Sequence, residues 1–234
     1  MFFDPMYIVF MLPGFAFMFY AQRRVKGAYS KFGKVPTASG MTGAQAAREV
    51  LNTNGLYDVG IEKIPGELTD HYDPRHRVLR LSQGVHDVPS IAAVGIAAHE
   101  AGHAIQHAKA YAPLKVRTAI VPAVNIGSNV GFGLLFLGII IGLTELAWVG
   151  VALFALTTVF ALVTLPVEFD ATRRAKQALI SVGVVDGGVR GGDEAKGVAK
   201  VLDAAAWTYI AGFAASLLTL LYYVMLLTGM RRDD

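Results

Sequence analysis

Cysteine is absent from the 234 residues, so the chain holds no disulfide and no thiolate metal site. Any transition metal it binds must take His, Asp or Glu as ligands, which makes each of its six histidines worth placing. Charge is scarce as well: 17% of the residues are Asp, Glu, Lys or Arg, with a formal net charge of +3. The basic residues are scattered beside apolar segments and form no patch, which argues against a nucleic-acid partner. No GxxxxGK string occurs, so no P-loop is present and nucleotide-driven work by this chain alone is excluded. Internal repeats and low-complexity tracts are also lacking. What the chain has is hydrophobicity: 54% apolar residues and a mean hydropathy of +0.46, more than a soluble globule of this size usually carries.

Runs near the roughly 20 apolar residues that cross about 30 Å of hydrocarbon as a helix occur at about 5–21, 118–142, 147–165 and 207–228. The first has no basic residue ahead of it and no small-residue cleavage site behind it, and is expected to be a retained anchor. The second carries Asn125, Ser128 and Asn129, so one face is expected to pack on protein. Arg23, Arg24 and Lys26 follow the first run, Lys115 and Arg117 precede the second, and Arg173, Arg174 and Lys176 follow the third. All lie on one side, which the positive-inside rule makes the cytosol. Both termini and the Thr144-Glu145 turn then face outside, with Arg231 and Arg232 beside Asp233 and Asp234. The expected division is a first transmembrane helix in 1–21, a cytosolic α+β region in 22–117, transmembrane helices two and three in 118–165, cytosolic helices in 166–206, and the fourth span with its tail in 207–234.

Within the first cytosolic region a helix is expected over about 42–54, closed by Gly55, then apolar alternation from Val59 to Ile64 and a hairpin, GELTDHYDPRHRVLRLS, turning at Asp73-Pro74. Ser90 is a plausible N-cap for the helix IAAVGIAAHEAGHAIQHAKAY, expected to run until Pro113 stops it. In the second region VDGGVRGGD reads as a flexible connector, after which Asp193 caps a helix that continues into the fourth span.

The string His99-Glu100-Ala101-Gly102-His103 carries the chemistry. Positions i and i+4 share a helix face, so two imidazoles can reach one tetrahedral zinc at about 2.0–2.1 Å. Glu100 projects beside them, placed to take a proton from the attacking water. The plain alternative is a polar stripe on an exposed amphipathic helix. The apolar IAAVGIAA before the string and AI after it argue otherwise, because two His and a Glu in a helix built for burial need a partner, and a metal is one. A third ligand is required if one position is to stay open. His107 lies about 12 Å along the axis from His99 and is expected to face solvent or the lipid surface. Glu168, in LPVEFDATRRA beyond the third span, is the better candidate, since an acidic pair beside a membrane end is otherwise costly; pairing to Arg173 or Arg174 is its alternative. Asp170 is expected to orient a ligating His as an acceptor. Asp70-His71-Tyr72 consists of common turn residues. Folded over the zinc helix, His71 or Tyr72 can donate a hydrogen bond to the substrate oxyanion, and the adjacent strand can hold substrate by β-addition. His76 and His86 are expected at the surface.

LTDHYDP at 68–74, LS-x-x-V at 81–85, SIAAVGIAAHEAGHAIQ at 90–106, LPVEFDAT-x-RA at 165–175 and AAAWTYIA at 204–211 resemble, in order, the YugP-type membrane zinc peptidases, or neutral zinc metallopeptidase family 2. The resemblance implies His99 and His103 as zinc ligands and Glu100 as catalytic base. EFDA is similar to the EFxAD segment of HtpX-type membrane proteases, whose Glu is the third ligand, which implies Glu168 here. Ala101 stands where a larger apolar residue is expected.

The expected protein is therefore mainly α and multi-pass, with about four transmembrane helices and a small cytosolic zincin-like α+β part, in a membrane expected to be a bacterial cell membrane. It is expected to bind one zinc per chain through His99, His103 and Glu168, a set that also tolerates manganese or iron. Its expected work is cleavage of membrane-associated or misfolded polypeptides. Three rival readings compete with it: an AAA-type protease, which needs the missing P-loop; a site-2-type intramembrane protease, for which the 91–108 helix is only marginally long; and a non-catalytic zinc-binding scaffold, against which the retained Glu100 argues.

Overall fold

The computed structural model describes residues 5–186 and 193–230. The glycines and Arg190 of the expected connector, and Arg231, Arg232, Asp233 and Asp234, lie outside the described residues. In chain order the elements are α1 (Pro5–Phe32), α2 (Gly43–Thr53), β1 (Gly60–Ile64), β2 (His71–Asp73), β3 (Val78–Ser82), α3 (Gln83–His86), α4 (Ile91–Ala108), α5 (Ala112–Ile141), α6 (Thr144–Ser181) and α7 (Asp193–Met230). Helices α1, α5, α6 and α7 are each long and apolar enough to cross a membrane. Three of them extend well past their apolar runs. Helix α6 continues through Pro166; proline removes one i→i−4 hydrogen bond, and the following turns persist because Val167, Ala171, Ala175 and Leu179 are buried.

The chain divides into two compact units, one of Met1–Ala21, Lys115–Pro166 and Thr208–Asp234, the other of Gln22–Leu114 and Val167–Trp207. In the first, α5 packs on α6 through glycine. A Cβ built on Gly150 would lie 2.3 Å from the Leu135 amide nitrogen, and one on Gly138 would lie 2.4 Å from that of Ala147. Close approach of backbones is how helices gain contact where burial from water contributes little. The packed face of α5 is thus Val124, Gly127, Gly131, Leu135 and Gly138, and not the polar face expected from Asn125, Ser128 and Asn129. Asn125 and Asn129 are exposed; the Asn129 amide instead donates to the Asn125 carbonyl oxygen at 2.9 Å, satisfying itself within its own helix. Gly150→Val is expected to destabilise the detergent-purified chain by about 1–3 kcal/mol through overpacking, read as a lower melting temperature.

The second unit holds a three-stranded sheet of order β1-β3-β2, with β3 parallel to β1 and antiparallel to β2. The hairpin turns where Asp73-Pro74 predicts: Asp73 Oδ1 accepts from the Arg75 and His76 amides, an Asx-type closure. Strand β2 forms an edge, with Tyr72 opposite Leu79. Helix α2 opens with a capping box between Thr42 and Gln45, and Gly55, at φ +72°, lies past its end as expected. The core joins α2, β3, α4, the end of α6 and the start of α7, with Val50, Leu51, Leu79, Leu81, Val94 and Leu179 almost wholly buried.

Helix α4 ends five residues before Pro113. The Tyr111 amide donates to the Gln106 carbonyl oxygen and the Ala110 amide to that of His107, both at 3.0 Å. Ala110 takes φ +51°, so the closure is a Schellman motif built without glycine. Pro113 then falls in the first turn of α5, where its missing N–H is no loss.

Candidate metal centre

Helix α4 begins with the Ser90 hydroxyl accepting from the Ala93 amide at 3.2 Å, which fixes its entry. Nearly every residue from Ile91 to Gln106 is buried. His99 and His103 project from one face, ring planes 87° apart and centroids 4.8 Å apart. Glu168 reaches them from α6: its Oε2 lies 3.2 Å from His99 Nε2 and 3.5 Å from His103 Nε2. One ligand atom from each of the three residues lies within 4.8 Å of the others.

The other ring nitrogens face outward to fixed partners. His99 Nδ1 lies 3.3 Å from the Thr172 hydroxyl and His103 Nδ1 lies 3.0 Å from Gln106 Oε1. Each imidazole thus presents Nε2 to a shared point while Nδ1 is held, the arrangement that orients a histidine toward a metal. Burial opposes protonation of His103, and the Glu168 and Glu100 carboxylates outweigh it, raising its pKa above the ordinary histidine value. Two half-buried imidazoles and one buried carboxylate, already convergent, match the donor chemistry of a divalent cation with one position left over. The donors therefore fit zinc.

Helices α4 and α6 meet here almost backbone to backbone. A Cβ on Gly102 would stand 2.8 Å from the Ala171 carbonyl oxygen and 3.3 Å from its Cα. This assigns the glycine of the string a spacing role.

Glu100 is 8% exposed, and its Oε2 accepts from the Tyr72 amide of edge strand β2 at 3.0 Å. The Tyr72 hydroxyl lies 2.9 Å from His107 Nδ1; His107 is exposed, as expected, yet partnered. Burial raises the Tyr72 pKa, so the phenol stays a neutral donor. His71 is brought elsewhere: its exposed ring sets Nδ1 2.9 Å from the Thr69 carbonyl oxygen. Asp70 accepts from both the amide and the hydroxyl of Ser82, at 2.7 Å and 3.0 Å, tying β2 to the end of β3. His76 pairs with Asp73 and His86 with Asp87.

Asp170 touches neither imidazole. It accepts from Gln106 Nε2 at 2.9 Å and from Arg173 and Arg174, so it reaches His103 through an intervening amide. The arginines are therefore partners of Asp170, while Glu168 faces the histidines. Gln106 and Thr172 are the residues that reading the sequence missed. A glutamine one turn past His103 inside an apolar helix was the available signal for the first; Thr172 gave none.

A His-His-Glu set able to hold a metal ion, in a chain with four membrane-length helices, has the features of a membrane metalloprotein. The family model described as "Putative neutral zinc metallopeptidase" matches residues 7–228, and the chain belongs to that family. It is 45% identical over 230 residues to the "Putative membrane protease YugP" of Bacillus subtilis (strain 168), an alignment that covers 98% of this chain and all of that protein. No solved structure matches the chain.

Proposed function

We propose that this multi-pass membrane protein is a zinc-dependent endopeptidase of the gluzincin type, holding one zinc through His99, His103 and Glu168. The observation that carries the reading is the meeting of those three donors within 4.8 Å beside Glu100, the one carboxylate of α4. When bound, the zinc supplies Lewis acidity toward the scissile carbonyl and toward water. Glu100 takes a proton from the attacking water as its oxygen bonds to the carbonyl carbon, then delivers that proton to the departing amine. The Tyr72 amide holds the Glu100 carboxylate in place for both transfers. Of the two donors suggested by the hairpin, the reading favours Tyr72, whose amide meets Glu100 and whose hydroxyl rests on His107, one turn beyond His103, while the exposed His71 ring turns to the Thr69 carbonyl oxygen. Tyr72→Phe is expected to lower kcat about a hundredfold with zinc content unchanged, the usual cost of one oxyanion donor. Unchanged turnover in the purified variant removes Tyr72 from the reaction.

The charge pattern favours a site facing the cytosol, because Arg23, Arg24, Lys26, Arg173, Arg174 and Lys176 all flank the ends of apolar runs that lead into the second unit. Glu168 follows the third run after only Pro166 and Val167, which favours membrane-associated or misfolded polypeptides as substrates and a zincin-like part working at the cytosolic surface of a bacterial cell membrane.

The test uses the full chain in detergent, assayed for bound metal and for cleavage of unfolded casein before and after chelation. One zinc per chain, with cleavage lost on chelation and restored by zinc, is the expected result. Bound zinc without cleavage, even in lipid with membrane proteins supplied, overturns the peptidase reading in favour of a zinc-binding scaffold.

A further inference from the structure

Gln106 is 0% exposed, and both N–H donors and the carbonyl oxygen of its amide meet named partners. Nε2 donates to the Val167 carbonyl oxygen at 2.8 Å and to Asp170 Oδ2 at 2.9 Å. Oε1 faces His103 Nδ1 at 3.0 Å. The two groups around Nε2 can only accept: one is a backbone carbonyl, the other a carboxylate already gripped by Arg173 and Arg174. Turning the amide over would set Oε1 against both acceptors in a buried site, at the cost of two hydrogen bonds and two repulsive contacts. The amide orientation is therefore fixed by α6, and Oε1 must accept. His103 Nδ1 must then carry hydrogen, so in the neutral, metal-binding imidazole the lone pair lies on Nε2, directed at the shared centre.

The same three bonds bridge the helices that supply the ligands. His99 and His103 ride on α4 and Glu168 on α6, and Val167 and Asp170 lie on the same turn of α6 as Glu168. We propose that Gln106 is the positioning residue of the centre: through Asp170 and its arginine pair it selects the metal-binding tautomer of His103 and registers it against Glu168. This inference rests on the zinc-peptidase reading above and adds the residue that makes the centre bind tightly.

The experiment compares zinc affinity, by competition with a chromophoric chelator, in the wild-type full chain, Gln106→Met and Gln106→Glu, together with melting of each metal-free protein. Gln106→Met keeps the volume and removes the amide; its zinc affinity is expected to fall roughly 10- to 100-fold, the range for losing a hydrogen-bond partner of a metal-bound histidine. Gln106→Glu restores an oxygen that accepts from His103 Nδ1 and, when protonated, donates to Asp170. It is expected to recover most of the lost affinity, whereas a merely space-filling role would favour the methionine. Substituted cobalt gives a second readout, its visible spectrum altered in Gln106→Met and close to wild type in Gln106→Glu. Should Gln106→Met not yield folded protein, Gln106→Asn, one methylene too short to span the two helices, takes its place in the comparison. Zinc affinity within threefold of wild type in the amide-lacking or shortened variant, or no recovery with Gln106→Glu, overturns the proposal while leaving the peptidase reading intact. A wild-type chain that binds no zinc overturns both.

Discussion

Purified Glu100→Gln is expected to bind as much zinc as the wild type and to cleave unfolded casein about 10³- to 10⁴-fold more slowly, the upper range for loss of a general base. Glutamine keeps the length and volume of the side chain, and its carbonyl oxygen can still accept from the Tyr72 amide that holds Oε2 at 3.0 Å. What it cannot do is take up a proton. None of the three donors that converge on the shared centre changes, so metal content and melting temperature should stay near wild type. Joint loss of zinc and activity would instead mean that Glu100 supports the centre structurally. Activity above a tenth of wild type would assign the proton transfer to another group.

Gly102→Ala is the second large effect. The added methyl would stand 2.8 Å from a backbone oxygen, that of Ala171, which no rotamer change relieves. Either α4 or α6 must move, and α6 carries Glu168 one turn before the clash. Zinc affinity is expected to drop more than tenfold, with overpacking costing about 1–3 kcal/mol of stability. The control sits on the same helix. At Gly95 a Cβ would meet Val198 Cγ1 at 3.5 Å, an ordinary contact, so Gly95→Ala is expected to be neutral or to gain up to about 1 kcal/mol from helix propensity. Chelator competition and thermal melting of the pair separate a spacing effect from a general effect of adding methyls to α4. Equal behaviour of the two variants would remove the spacing role from Gly102.

Local chemistry made part of this structure legible in advance. The four apolar runs, the Ser90 cap of α4, the Asp73-Pro74 turn and the common face of His99 and His103 all follow from spacings of a few residues, which periodicity and capping report directly. Glu168 was reachable because a carboxylate just beyond an apolar run needs a reason to be there. What stayed hidden depends on partners distant in sequence. Gln106 acquires its meaning from Val167 and Asp170, 61 and 64 residues away, and Gly102 from Ala171. The glycine face of α5 was masked by Asn125 and Asn129, whose polarity suggested protein contact although Asn129 satisfies itself within its own helix. The early end of α4 was hidden because its terminating residue, Ala110, adopts a left-handed conformation that sequence normally reserves for glycine.

His99 and Glu168 stand 69 residues apart in the chain, and that separation ties the centre to thermodynamics as well as to chemistry. Unfolding scatters the ligand set, so a cation held by all three side chains favours the folded population by mass action. At a free zinc concentration 100 times the dissociation constant the gain is about 2.7 kcal/mol, a sizeable share of the stability of an ordinary domain. The fraction of folded chains, and with it the resistance of the second unit to proteolysis, is then expected to rise and fall with available zinc.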